Sequence, residues 1–204
     1  MDYLKYLVEE IHTVIMATSD ESGLPVTCAV DIMDYDKNGL YFLTAKGKSL
    51  YRRLKQTGFA AFTGITGDST LTRKAISVRG NAEELGNDYI DRLFEKNSYM
   101  NEIYPTEASR RALTVFKLYN AAGEWFDLSK KPIERSSFAV GGGKTDTNGY
   151  FITDKCTGCT ECVKVCPQKC IVFSAEKAQI VQENCLHCGN CMSICGQNAV
   201  ILRG

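Results

Sequence analysis

The chain has 204 residues, 44% of them hydrophobic and 24% charged, which is long enough for two unequal domains with packed cores. Lysine plus arginine equals aspartate plus glutamate at 24 each, and residues 146–204 balance separately, so nothing in the charge points to a nucleic-acid partner. No apolar run approaches the roughly 20 residues that span a bilayer. The start, Met1–Glu10, lacks the basic and small-residue features of an export signal, and the expectation is a cytoplasmic protein with no membrane contact.

In chain order, residues 2–11 read as a short amphipathic helix. Strand-like runs follow at Val14–Thr18, Val26–Ile32, Leu40–Thr44, Phe59–Thr63, Ala75–Arg79 and Val115–Tyr119, the early ones separated by the turn signals Glu21-Ser22-Gly23 and Asp36-Lys37-Asn38-Gly39. Helices are expected at Lys48–Gln56, starting near Ser49, and at Asp88–Lys96, with a third short one opened by Pro105. Many strands with few helices predict a closed or partly closed β-barrel of about 130 residues.

Ser136–Gly149, with Gly141-Gly142-Gly143 at its centre, has the composition of a linker. Gly143-Lys144-Thr145 does not make a phosphate loop, because Phe138 stands where that motif needs its first glycine. The expected organisation is therefore a domain at 1–135, a linker at 136–149 and a second domain at 150–204.

Cysteine carries the strongest signal. Of ten cysteines only Cys28 lies outside the last quarter of the chain. Cys156, Cys159, Cys162 and Cys166 recur at an offset of 29 residues as Cys185, Cys188, Cys191 and Cys195, and Gln168/Gln197 and Ile171-Val172/Val200-Ile201 repeat with them. Three cysteines spaced by two residues can each reach a different iron of one cube, and in C-x2-C-x2-C-x3-C-P runs the fourth cysteine ligates the other cluster. The expected ligand sets are Cys156, Cys159, Cys162 and Cys195 for one [4Fe–4S] cluster and Cys185, Cys188, Cys191 and Cys166 for the other. Structural zinc draws ligand pairs from two separated places, so the duplicated triplets fit it poorly. Disulfides fit less well without an export signal.

Residues 150–204 resemble the bacterial dicluster ferredoxins. The resemblance implies a pseudo-twofold pair of hairpins and helical turns that transfers single electrons at low potential. The second run departs from the family pattern at Gly196, where proline is usual. Cys170, aligned with Ala199, reads as a small buried side chain, and His187 as a solvated or packing residue. Loaded cubes carry about two negative charges each, which favours a basic docking partner.

In the first domain, Leu40-Tyr41-Phe42-Leu43-Thr44-Ala45-Lys46-Gly47-Lys48-Ser49 reads as a strand, a loop and a helix start. Free helix N–H groups, a hydroxyl and ammonium groups would meet a phosphate there. The order of helix, strand, Gly23-Leu24-Pro25, strand, acidic turn, this segment and Ser77-Val78-Arg79-Gly80 resembles the pyridoxamine-phosphate-oxidase-like FMN-binding split barrels over residues 1–135. The fold class is thus a β-rich α+β chain, a split β-barrel followed by a small ferredoxin-like domain. The resemblance implies FMN at a homodimer interface. Thr44, Lys48 and Ser49 would hold its phosphate beside Ala45 and Lys46, and Ala29 and Val30 would lie along the ring. Cys28 stands where true pyridoxamine-phosphate oxidases carry arginine, which counts against that activity. Trp125 reads as a barrel-closing aromatic and His12 as a helix-end residue.

The expected function is a flavin- and iron–sulfur-dependent oxidoreductase passing electrons between two [4Fe–4S] clusters and FMN, served by a redox partner protein or transient NAD(P)H. The alternative is a non-catalytic electron carrier or redox sensor whose barrel holds flavin or haem.

Overall fold

The structure is a computed structural model that describes residues 1–145, 148–174 and 176–204. Residues 146 and 147 of the expected linker lie outside the described residues. The described chain divides into two compact units. The first comprises residues 1–66, 75–124 and 138–145, and the second residues 67–74, 125–137 and the described residues of 146–204.

The first unit opens with helix α1 (Tyr3–Tyr6), its N-terminal amides capped by the Asp2 carboxylate. It runs into a widened turn, Leu7–Ile11, closed by the His12 amide donating to the Leu7 carbonyl at 2.7 Å. Strands β1 (Thr13–Ser19) and β2 (Pro25–Asp31) form a hairpin in which Asp20 accepts from the amides of Ser22 and Leu24. In β1, Val14, Met16 and Thr18 are buried while Thr13 and Ile15 face outward, a period-two pattern. Strands β3 (Asp34–Asp36) and β4 (Gly39–Ala45) follow, and β4 is buried on both faces through Phe42.

Helix α2 (Ser49–Thr57) buries Leu50 and Leu54 and turns Arg52 and Lys55 outward. It ends at Gly58, which at φ +58 supplies the left-handed C-cap. Strands β5 (Phe59–Thr66), β6 (Lys74–Gly86), β7 (Leu113–Asp127) and β8 (Glu134–Val140) complete the sheet, ordered β2-β1-β5-β6-β7-β4-β3 with β8 beside β7. Between β6 and β7 lie α3 (Ile90–Lys96), α4 (Met100–Ile103) and α5 (Glu107–Arg110).

Ile90, Leu93, Phe94 and Met100 pack on Met33, Tyr41, Leu113 and Val115 of the sheet. Each such side chain contributes about 1.5–3 kcal/mol when fully buried. The nearly inaccessible Asp34 carboxylate ties β3 to α3 by accepting from Arg92 and Lys96, each at 2.5 Å.

Several elements differ from the sequence reading: β6 runs on from Arg79 to Gly86, the short β3 and β8 add strands, and β7 extends beyond its expected run. Strand β7 runs on past Tyr119 through Asn120 to Gly123, residues that look like a breaker. The Phe138 ring of β8 lies so close to Gly123 that a Cβ there would come within 2.3 Å of it. The stretch read as linker accordingly begins as strand, and Val140 is buried.

The second unit carries the repeat as structure. Strands β9 (Gly149–Ile152), β10 (Ile171–Ser174), β11 (Lys177–Ile180) and β12 (Val200–Arg203) pair β9 with β12 and β10 with β11. The first strand of one copy thus pairs with the last strand of the other. Helices α6 (Glu161–Lys164) and α7 (Asn190–Ser193) recur at the same offset. So do three positive-φ positions, Gly158/His187, Thr160/Gly189 and Lys169/Asn198. Segment 125–137 is hydrogen-bonded to this lobe: the Ile133 amide donates to Gln168 Oε1 at 2.9 Å and Asn184 Nδ2 to the Ile133 carbonyl at 3.1 Å. Among the described residues no helix is long and apolar enough to cross a membrane.

Where β6 crosses β7, a Cβ on Gly80 would sit 2.4 Å from Ala121 Cβ and 2.8 Å from the Tyr119 carbonyl oxygen. Gly80→Ala is expected to destabilise the barrel by about 2 kcal/mol, read as a lowered urea midpoint with an unchanged slope.

Candidate cofactor sites

Two cavities of about 340 and 360 Å³ lie in the second unit. Cys185, Cys188, Cys191 and Cys166 line the first, with Cys170 beside them. Cys156, Cys159, Cys162 and Cys195 line the second. Each therefore draws three thiols from one copy of the repeat and one from the other, because the strand exchange lays the end of each copy against the start of its sibling. Among the described residues no three His, Cys, Asp or Glu side chains converge on a single-ion position. The thiols surround volumes rather than points, and a cube needs such an arrangement.

The electrostatics favour a cationic guest. Burial, with Cys185 and Cys188 adding charge repulsion, pushes the Cys191 thiol up to about 11. Burial, with Cys156 and Cys159 nearby, also raises Cys162. Burial opposes ionisation of Cys195 too, but amides from residues 197–200 outweigh it and hold that thiol below its ordinary value. The Ala199 amide, at 3.3 Å from Cys195 Sγ, is one of them. Cys170 is buried with its sulfur 3.5 Å from that of Cys166. His187, at φ +53, takes the place that Gly158 holds in the first copy, and the Arg135 guanidinium lies against both nitrogens of its ring.

The third cavity, in the first unit, is a cleft of about 930 Å³ between β2, β4, α2 and the start of α4. Of the expected contacts it brings together Ala29, Val30, Thr44, Lys48 and Ser49. Ala45 and Lys46 do not line it. Successive strand residues face opposite ways, so Ala45 packs against the apolar cluster around Met33 and Tyr41, and Lys46 is exposed beyond the strand end.

Thr44 Oγ1 is buried with no hydrogen-bond partner. Helix α2 starts beside it with no side chain capping its amides, since Lys48 at the N-cap is extended and makes no such bond. Orphan amides, an orphan hydroxyl and the nearby Lys48 fit a phosphate at this end of the cleft. Arg53, one turn along α2, also lines it and donates to Thr18 Oγ1 at 2.7 Å. Arg53's i+4 spacing from Ser49 is the sequence signal that places it on the same side of the helix. Cys28, Asp31, Met33, Leu43, Leu50, Tyr99 and Met100 complete the lining. Tyr99 and Met100 come from a segment far from the rest in sequence, where no local pattern announces them. Trp125 is fully buried, in the second unit.

Comparison with known proteins gives the following matches. Residues 2–124 match the family model described as pyridoxamine 5'-phosphate oxidase, and residues 148–196 the model of a 4Fe-4S dicluster domain. A NimC/NimA family protein from Clostridium acetobutylicum aligns with a TM-score of 0.52 at 15% identity, over 68% of this chain and 93% of that one. PhzG from Burkholderia lata 383, in complex with tetrahydrophenazine-1-carboxylic acid, aligns at 0.51 and 18%, over 65% and 78%. A Clostridium acetobutylicum protein related to general stress protein 26 of B. subtilis, of the pyridoxinephosphate oxidase family, aligns at 0.50 and 17%, over 66% and 90%. At these identities the likeness is one of fold. No curated protein matches the chain.

A hydroxyl kept for a ligand should not support the free protein. Thr44→Val is expected to leave the flavin-free chain equally stable or up to about 1 kcal/mol more stable, measured by urea unfolding. A clear destabilisation would mean that the hydroxyl is already satisfied.

Proposed function

This chain belongs to the pyridoxamine 5'-phosphate oxidase family through residues 2–124 and carries a 4Fe-4S dicluster domain at 148–196, and from that starting point we propose an oxidoreductase that passes electrons between two [4Fe–4S] clusters and FMN. The observation that carries this reading is the composition of the two thiol cavities, three cysteines from one repeat and one from the other in each. That is the ligand pattern of crossed cubes. Bound clusters would supply single electrons, and bound flavin would take or give one or two.

The chain's own part is positional. Cys156, Cys159, Cys162 and Cys195 hold one cube; Cys185, Cys188, Cys191 and Cys166 hold the other. Thr44, Ser49, the free amides of α2 and Lys48 bind the FMN phosphate, with Ala29 and Val30 along the ring. Cys28 on the cleft wall, where arginine would serve pyridoxamine phosphate, argues for a different substrate.

A second copy of the chain is the expected barrel partner. Ile15 on β1 and Phe59 and Ile65 on β5 are 55%, 45% and 53% exposed, and the strand register sets them on one face. Such an apolar face invites a twofold partner. A redox protein with a basic docking surface would deliver or collect the electrons.

Two outcomes are expected. Cys195→Ala should halve the iron content of anaerobically reconstituted protein, because it strips one cube of a ligand and leaves the other set whole. Chemical reduction of the clusters in FMN-loaded protein should be followed by bleaching of the flavin absorbance. Cluster reduction with the flavin band unchanged would reduce the barrel to a flavin store and favour the carrier reading.

A further inference from the structure

At one edge of the barrel cleft stand three titratable side chains from three elements. Asp31, at the end of β2, and Tyr99, just before α4, both line the cleft. His12, in the turn ahead of β1, reaches Tyr99 from behind. Tyr99 Oη donates to Asp31 Oδ2 at 2.9 Å, and His12 Nε2 lies 3.0 Å from Tyr99 Oη. Thr13 Oγ1 fixes the other carboxylate oxygen at 2.7 Å.

Counting hydrogens shows how the chain can work. The single phenolic proton is committed to Asp31, so the bond between His12 and Tyr99 requires the proton to sit on Nε2. His12 Nδ1 faces the Val8 carbonyl at 3.3 Å, an acceptor only, so a doubly protonated ring would satisfy both ends. Asp31 Oδ2, 3.5 Å from Nε2, would then be its counter-ion.

His12 is also held in a backbone conformation that L-residues avoid, φ +59 and ψ −65. Two bonds enforce it: its amide donates to the Leu7 carbonyl, and its carbonyl accepts from the Ile32 amide at 2.9 Å. Local strain kept in place by the surrounding structure, next to a cleft, points to function. Burial and the Asp31 carboxylate hold the Tyr99 phenol well above its ordinary range, so Tyr99 stands as a proton carrier rather than a phenolate.

We propose that Tyr99 is the proton donor to the molecule reduced in the barrel cleft, and that His12 reloads it while Asp31 orients the phenol; this rests on the flavoprotein reading above. An organic acceptor of quinone or carbonyl type gains two electrons and two protons. Reduced flavin would supply both electrons with one proton. The Tyr99 O–H turns from Asp31 to the acceptor oxygen and gives up the second proton as His12 Nε2–H passes its own proton to Tyr99 Oη. The neutral imidazole, part of which reaches solvent, then recovers a proton from water.

The test uses full-length protein loaded with clusters and FMN, its flavin content measured first. Reduced protein is mixed with 1,4-benzoquinone, which takes two protons, or with ferricyanide, which takes none. The ratio of the two reoxidation rates, read at the flavin band, should fall at least about tenfold in Tyr99→Phe and in His12→Gln. Reduced-minus-oxidised infrared spectra with labelled tyrosine and histidine should show bands of both residues, with the tyrosine band lost in Tyr99→Phe. An unchanged rate ratio, or difference spectra without label-sensitive bands, overturns the inference and leaves the flavoprotein reading standing. A wild-type chain that takes up no flavin overturns both.

Discussion

Four thiols gathered around a cavity of a few hundred cubic ångströms cannot all ionise unless something positive sits among them. Burial and mutual repulsion already push Cys191 up to about 11 in the bare chain, and each further thiolate would add to the cost. A cationic iron–sulfide core removes that penalty and turns it into binding energy. On the proposed reading the lobe depends on it, for among the described residues its apolar cluster comprises Ile171, Ala178, Cys191 and Val200 with half-buried neighbours, several of them cysteines. A module of about 55 residues with so little to bury would gain its closure from crossed ligands. The exchange of strands between the two copies and the exchange of the fourth cysteine are thus one event described at two levels.

The same logic explains what was legible in the sequence. Cluster ligands are local and repeated, so the cysteine spacing and the offset of 29 residues could be read directly. The left-handed positions that let the chain wrap each cavity were only half visible. Gly158 and Gly189 announce themselves, but their counterparts His187 and Thr160 adopt positive φ without glycine, as does the pair Lys169 and Asn198. Most barrel strands followed from alternation and turn chemistry. The failures came where small residues answer to a distant partner. Gly123 looks like a terminator of β7 and is instead a seat for Phe138, while Gly80 is the crossing point with Ala121. The serines of β8 hid a strand inside what composition presents as linker.

The cleft shows the limit of local reading more sharply. Thr44, Lys48 and Ser49 are near neighbours in sequence, and the strand–loop–helix pattern named them. Ala45 and Lys46 sit between them, yet Ala45 packs into the apolar cluster and Lys46 lies exposed beyond the strand end. Tyr99 reaches the same cleft from a segment about 50 residues further along the chain, and His12 joins it through a turn whose geometry no residue type advertises. His12 does end its helical turn, as its sequence position suggests; its ring faces a chemistry that the sequence does not display.

On the proposed reading, the chain joins a one-electron store to a two-electron site within one polypeptide. The most direct test is to purify the full chain without oxygen and to quantify iron, inorganic sulfide, zinc and flavin together with the visible spectrum. The account predicts about eight irons and eight sulfides per chain with one bound FMN. Stoichiometric zinc in the cysteine lobe, or haem in place of flavin in the barrel, would contradict it.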